Sequence, residues 1–342
     1  MPSPASVSAP LSTDVVIVGA GVLGLCTAVT LKRRGHRVAV IDPGGRNASA
    51  VAAGMIAPAL EAALDDVTPE RAALFRSARR VWDDFGVDLE PGPAAWRGPG
   101  GEAVAARLKA LGFAVRVEGA DVLTPEDVRI EPETVLAAWR EDLQEGWIQD
   151  TARQMERVGE GWRVTGADGG VIEAPFVVLA SGTATAPGGS PRAVAGLIQQ
   201  LQPIRGQIGW TAERLSDRVM RGEGAYVAPS QGGTLIGASM EAGRRDLEPE
   251  AETGQRLLAA AGRLVGRDLS GTAMDWRVGI RGSTIDGLPL AGATGEAGLF
   301  LALAPRRNGW LLGPLIGQVV ADGIEGRATS VEAAAFDPRR FF

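Results

Sequence analysis

The chain has 342 residues, 45% of them hydrophobic, with 35 Lys and Arg against 41 Asp and Glu and a formal net charge of −6. That length accommodates two domains or one large α/β core with an insertion, and the mild negative charge without a dense basic cluster speaks against a nucleic-acid partner. A single cysteine (Cys26) excludes an internal disulfide framework and a Cys-cluster metal site, and a single histidine (His36) argues against a multi-His metal site or a Ser-His-Asp triad.

Residues 1–10, rich in Pro, Ser and Ala, read as a disordered tail, not as a signal peptide. Val15 to Val18 is a short apolar, β-branched run that suits a strand buried on both faces. Gly19, Gly21 and Gly24 follow it directly. Gly19 suits a tight turn, Gly21 a close approach of backbone to a pyrophosphate, and Gly24 close helix–strand packing. The stretch Leu23 to Arg34 then predicts a helix whose N-terminus faces the diphosphate, stopped by Gly35. Arg37 to Asp42 predicts a second strand, and Asp42 sits where a carboxylate accepts from a ribose hydroxyl. Cys26 falls in the first helix as a small apolar residue, and His36 in the turn after it.

The small residues of Asn47 to Leu60 permit a flat ligand to approach the backbone closely; the plain alternative is a helix start broken by Pro58. Leu74 to Phe85 and Glu102 to Leu111 have helical spacing. Thr124-Pro125-Glu126-Asp127 resembles a helix start, and Glu131-Pro132-Glu133 precedes another helix through Leu143. Gly161 to Thr165 and Val171 to Ala174 predict a hairpin, Phe176 to Gly182 a buried strand ending in small residues, and Pro187 to Pro191 a linker. Ile204 to Ser239 is strand-like, with turns at Gly222-Glu223-Gly224 and Gln231-Gly232-Gly233. A charged helix is expected over about Pro249 to Val265, a strand at Leu299 to Ala304, and a helix over Leu311 to Asp322 with Gly323 as its stop. Trp310 to Val320 is too short to span a bilayer, so a protein without a membrane span, cytoplasmic by default, is expected. This order describes a nucleotide domain interrupted by an insertion with its own antiparallel sheet.

With these pieces placed, the chain resembles the D-amino-acid oxidase superfamily of FAD enzymes, most of all its glycine oxidase branch, from about Leu11 to Gly326. Ala52-Ala53-Gly54-Met55-Ile56-Ala57-Pro58 matches the family segment beside the flavin. Val177 to Gly182 resembles its late FAD strand, and Pro203 to Gln207 its Pro-Val-Lys-Gly-Glu/Gln turn. Tyr226-Val227-Ala228-Pro229 is similar to a strand of the substrate domain. Gly279 to Pro289 matches Gly-Leu-Arg-Pro-x-Thr-x-Asp-Gly-x-Pro, and Arg307 to Leu312 the closing Arg-Asn-Gly-Ile-Leu-Leu element. Ala304-Pro305 departs from the family's Gly-His. Pro305 has no N–H, which bears on the label oxidase more than on the label flavoprotein. The stretch from Ser181 to Pro187 also lacks the usual tryptophan.

The resemblance implies an α/β fold: an FAD-binding Rossmann-like domain, discontinuous over 11–85, 145–200 and 275–330, with a substrate domain on an antiparallel sheet over 86–144 and 201–274. It implies non-covalent FAD held by Gly19, Ala20, Gly21, Val22, Gly24, Asp42, Ser49, Ala53, Gly54, Met55, Ser181, Gly182, Gly282, Asn308, Gly309, Trp310 and Leu311. It implies a substrate carboxylate held by Arg281, with Tyr226 and Arg307 beside it. The expected reaction is oxidation of glycine, a small D-amino acid or an N-alkyl glycine by hydride transfer to flavin N5, with oxygen reduced to hydrogen peroxide. Two alternatives stay open: an amino-acid dehydrogenase with another acceptor, and a flavin-binding protein without turnover. An NAD-linked reductase fits the downstream motifs less well. The oligomeric state stays open, a homo-oligomer included.

Overall fold

In a computed structural model of the chain, the described residues are 10–90, 92–328, 330 and 334–342. The tail expected over residues 1–10 lies outside them, apart from Pro10.

Val15–Val18 is buried throughout and forms the middle of a six-stranded sheet. Its neighbours, Phe176–Leu179 on one side and Val38–Asp42 on the other, both run parallel to it. Leu299–Leu303 and Trp147–Gln149 extend the parallel array outward, and Leu290–Ala293 closes one edge antiparallel. A parallel sheet needs cover on both faces, which is why these strands are continuous apolar runs. The hairpin Gly161–Gly166 and Val171–Ala174 covers one face, and Trp162, Val164 and Ile172 pack against Val177, Leu179 and Leu301. The sequence reading missed the third strand of this layer, Ala152–Val158, whose exposed charged residues hide its alternation.

Helices Val22–Arg33 and Gly309–Ile324 cover the other face. They dock closely because Gly309, Gly313 and Gly317 lie on one stripe of the later helix. A Cβ at Gly313 would sit 2.9 Å from Cys26 Sγ, and one at Gly317 2.8 Å from the Cys26 carbonyl. Cys26 is buried, as expected of a small apolar residue there. Gly35, at φ +91°, ends the first helix. Gly323 does not end the later one, which runs to Ile324. Gly323 is needed for space, since its Cβ would meet the Phe300 ring at 3.0 Å.

The second layer is a nine-stranded sheet in which Gln202–Thr211 pairs with Gly233–Gly237 on one side and along its length with Asp275–Ser283 on the other. Ala225–Ser230, Met220–Gly222, Ala94–Arg97, Asp121–Thr124 and Arg116–Glu118 continue it. Helix Ala251–Val265 seals one part of it, packing Leu257, Leu258 and Leu264 on Met220, Val227 and Ile236. A separate cluster of Val51, Ala53, Ile208, Ala228 and Leu235 joins this sheet to the nucleotide side.

Two helix readings change. Thr124 to Asp127 starts no helix; it is a turn between Asp121–Thr124 and Val128–Arg129. Asp127 caps a helix elsewhere, accepting from the N–H groups of Ala59 (2.7 Å) and Leu60 (3.0 Å) at the start of Pro58–Leu64. The Pro187 to Pro191 linker leads into an amphipathic helix, Arg192–Gln199, that the reading passed over. Among the described residues no helix is long and apolar enough to cross a membrane.

Candidate active site

The Gly-rich turn divides its labour. Gly19 sits at φ +106°, and a Cβ there would meet the Ala180 carbonyl at 2.6 Å. A Cβ at Gly24 would overlap the Gly19 carbonyl oxygen. A Cβ at Gly21 would meet only Ser49 Oγ, at 3.4 Å, because Gly21 faces a cavity. Side chains brace the turn from three directions. Asp42 accepts from Ala20 N (2.7 Å) and Gly44 N (2.8 Å), Asn47 donates to the Ala20 carbonyl (3.1 Å), and Ser49 Oγ accepts from Val22 N (2.9 Å). Each Asp42 oxygen therefore already takes one N–H and keeps a lone pair.

Two helix N-termini open on this cavity, Gly21–Val22 and Gly309–Trp310, and neither N-cap residue, Gly21 or Asn308, caps its helix with its own side chain. Ala180, Gly182 and Gly282 line it with little side chain. Ser181 Oγ is buried with no hydrogen-bond partner among the described residues. Trp310 is held in place by its indole N–H, which donates to the Ser49 carbonyl (3.1 Å), and by tilted ring contacts with Trp82 and Trp139. Helix N-termini open to the cavity, glycines that leave room for a ligand and an orphaned hydroxyl fit a large diphosphate-bearing ring system. Leu311 is buried within its helix and lines neither this cavity nor the next.

Ala304, Pro305 and Arg306 form one rim. Ala304 (φ +57°) and Arg306 (φ +52°) both hold left-handed backbone, a conformation that non-glycine residues adopt at a cost and that clusters at functional sites. Arg306 N donates to the Gly282 carbonyl (2.9 Å), which fixes the rim against the strand carrying Arg281.

A second cavity, of about 360 Å³, adjoins the first and shares Ala48, Ala52, Arg281, Arg307 and Trp310 with it. Ala53, Gly54 and Met55, expected beside the cofactor, line this one, as does Asn308. Arg281 makes no hydrogen bond or ion pair with any described residue. Burial lowers its pKa from the ordinary arginine value. Its guanidinium occupies the space above Gly206, where a Cβ would overlap it. Tyr226 is placed the same way: a Cβ at Gly237 would be 2.5 Å from its hydroxyl. Burial pushes the Tyr226 phenol up to about 12, against the pull of Arg281 and Arg221.

Arg307 is not a free cation. Its Nε donates to Glu61, and its Nη2 lies 2.9 Å from Asp65. Glu61 also accepts from Arg221 (2.6 Å). Burial disfavours the Glu61 carboxylate, but Arg221 and Arg307 outweigh burial and hold its pKa below the usual value. The sequence reading missed Glu61 and Arg221. Glu61 sits in an Ala-rich helix and shows no local pattern. Arg221 was within reach: the turn at Gly222-Glu223-Gly224 sets a register that pairs it with Tyr226.

A Gly-rich nucleotide turn on a parallel sheet, joined through one shared wall to a cationic cavity on a large mixed sheet, defines a dinucleotide-dependent oxidoreductase. The chain belongs to the family described as FAD dependent oxidoreductase (DAO), which matches residues 14–148 and 91–323. It is a flavoprotein oxidoreductase of the glycine oxidase and D-amino-acid oxidase type. It is 30% identical to the glycine oxidase of Geobacillus kaustophilus (strain HTA426), over 96% of this chain and 97% of that protein. The crystal structure of glycine oxidase from Geobacillus kaustophilus superposes with a TM-score of 0.79 at 26% identity, covering 96% of this chain and 99% of the other. It is also 27% identical to the tRNA 5-methylaminomethyl-2-thiouridine biosynthesis bifunctional protein MnmC of Caulobacter sp. (strain K31), over 98% of this chain but 58% of that protein.

Proposed function

We propose that the chain oxidises a small amino acid (glycine, a small D-amino acid or an N-alkyl glycine) to its imino acid, with oxygen as the final electron acceptor. The observation that carries this reading is Arg281, a half-buried guanidinium without a protein partner that lines both cavities. An unpaired charge drawn partly out of water is costly unless a ligand completes it. A planar guanidinium grips a carboxylate by two parallel hydrogen bonds, which sets orientation as well as position.

Bound FAD supplies the acceptor for the hydride from Cα, and its electrons then pass to oxygen. Gly21 and the N-termini of Val22–Arg33 and Gly309–Ile324 would hold the pyrophosphate and the pyrimidine end of the ring, Asp42 a ribose hydroxyl, and Ser181 a further polar group. Arg281 holds the substrate carboxylate, and the Tyr226 hydroxyl, protonated across the physiological range, donates to it as well. Glu61 is committed to Arg221 and Arg307, so no carboxylate lining the substrate cavity is free to take a proton from the amine. The amine must enter neutral, and alignment of Cα–H is the protein's main contribution. The imino acid then hydrolyses in water. In sum, amino acid, oxygen and water give 2-oxo acid, hydrogen peroxide and ammonia, or the alkylamine when the substrate is an N-alkyl glycine.

The test is an anaerobic screen of glycine, N-methylglycine and D- and L-amino acids against the yellow holoenzyme, read by loss of flavin absorbance. Bleaching by glycine, N-methylglycine or a D-amino acid supports the reading; bleaching by L-amino acids alone, or by none of them, ends it. Pro305 favours one second reading, a dehydrogenase with a different acceptor, because this rim offers no N–H at that position. Peroxide formed per substrate consumed separates the two: one-to-one for the oxidase, far below it for the dehydrogenase.

A further inference from the structure

The charges lining the two cavities do not balance. Arg281, Arg221, Arg306 and Arg307 line them, against Glu61 alone. Asp65, behind the wall, pairs with Arg306 (2.9 Å) and Arg307. Four guanidiniums thus face two carboxylates, a surplus of two positive charges. Nearby Asp127, which also feels Arg221, offsets at most one of them. The cofactor diphosphate would be a further counter-charge for the first cavity, whereas Arg221 lines only the second.

Arg221 is the cation with unused capacity. It makes one hydrogen bond among the described residues, Nη1 to Glu61 Oε1. None of its nitrogens is among the buried atoms left without a partner, so the remaining donors reach the cavity that Arg221 lines. Its strand position fixes it beside Tyr226, its directly paired neighbour across the hairpin. Arg221, Tyr226 and Arg281 all line the second cavity. Glu61 anchors Arg221 from one side, and Glu61 is itself shared with Arg307. Such a fork, held at one nitrogen and open at the others, is a preorganised anion receptor.

We propose that the preferred substrate carries a second carboxylate, as an acidic amino acid or an N-carboxyalkyl glycine does, and that Arg221 is the residue that reads it. This rests on the reading above that Arg281 takes the α-carboxylate. Two guanidiniums lining one cavity then select for a dianion by charge.

The experiment uses acids that cannot be oxidised at Cα, so it reports binding whether or not any amine is turned over. Succinate and butyrate, matched in length, are titrated into the oxidised holoenzyme and followed by perturbation of the flavin spectrum. Succinate is expected to bind at least tenfold more tightly, with the ratio falling below about threefold in Arg221→Gln. Equal binding by the wild type overturns the proposal, and a ratio that survives in Arg221→Gln overturns the assignment to Arg221. Should that variant lose its flavin, Arg221→Lys, which keeps the charge but not the fork, is expected to show a reduced ratio; an undiminished one counts against Arg221. If no amine bleaches the flavin while succinate still binds preferentially, the catalytic reading fails and the dianion site stands.

Discussion

The guanidinium of Arg281 fills the space that a side chain at Gly206 would take. Gly206 pairs with Gly279 across two strands of the large sheet, so the cationic head is set by backbone two residues before Arg281 itself. Glycine here serves a neighbour's side chain and not its own φ.

Removing the head should therefore cost binding without harming the cofactor. Arg281→Ala is expected to retain FAD and to weaken carboxylate binding by roughly 2–5 kcal/mol, thirtyfold or more. Gly206→Ala should produce a milder form of the same defect by displacing the guanidinium. Titration of the holoenzyme with the best substrate under anaerobic conditions measures both; unchanged affinity in Arg281→Ala would rule out its role.

The glycines of the first turn should separate by function. Gly24→Ala puts a methyl onto the Gly19 carbonyl and should destabilise the protein by about 1–3 kcal/mol. Gly21→Ala meets only Ser49 Oγ and should leave the apoprotein's stability nearly unchanged while weakening FAD retention. Denaturant unfolding of apoprotein, set beside flavin content after purification, distinguishes them.

Glu61 ties Arg221 and Arg307 together from a buried position. Glu61→Gln removes the charge but not the shape. A loss on the order of 3 kcal/mol is expected, because two guanidiniums lose their counter-charge. Thermal unfolding at fixed pH is the measurement, and a change within about 0.5 kcal/mol would contradict it.

Asp127 supplies a pH signature. Burial pushes its pKa up to about 7, opposed by the N–H donors of Leu60 and Ala59, so the native state keeps a proton that the unfolded chain loses near pH 4. Its contribution to stability is complete below that point and is lost as pH rises towards 7. The stability of wild type relative to Asp127→Asn should fall over this window, by up to roughly 4 kcal/mol. A difference that is flat with pH would show that the three donated hydrogen bonds, including that from Thr124 (3.1 Å), keep the carboxylate ionised throughout.

What the sequence disclosed was local or periodic. The Val15–Val18 run, the three glycines and Asp42 lie within one βαβ unit, and their meaning depends only on nearby neighbours. Arg281 and Tyr226 were legible through motif resemblance, and both line the second cavity. The charge network was not legible. Glu61 meets partners 160 and 246 residues later, and nothing in an Ala-rich helix announces them. Asp127 was read as part of a local helix start, because Thr-Pro-Glu-Asp is a good capping sequence. The helix it caps begins at Pro58, brought alongside only by the tertiary fold. Arg307, read as free positive potential, is spoken for by two acids that sequence spacing does not connect to it.

The glycine stripe at 309, 313 and 317 has a bearing on how the molecule is born. It seats helix Gly309–Ile324 flush against Val22–Arg33, which is synthesised far earlier, and the first cavity lies between their starting ends. The nascent nucleotide unit therefore emerges with half its cradle absent. Tight capture of FAD must wait for synthesis to pass Ile324, so the yellow colour marks a chain in which both helices have met and not an early folding event.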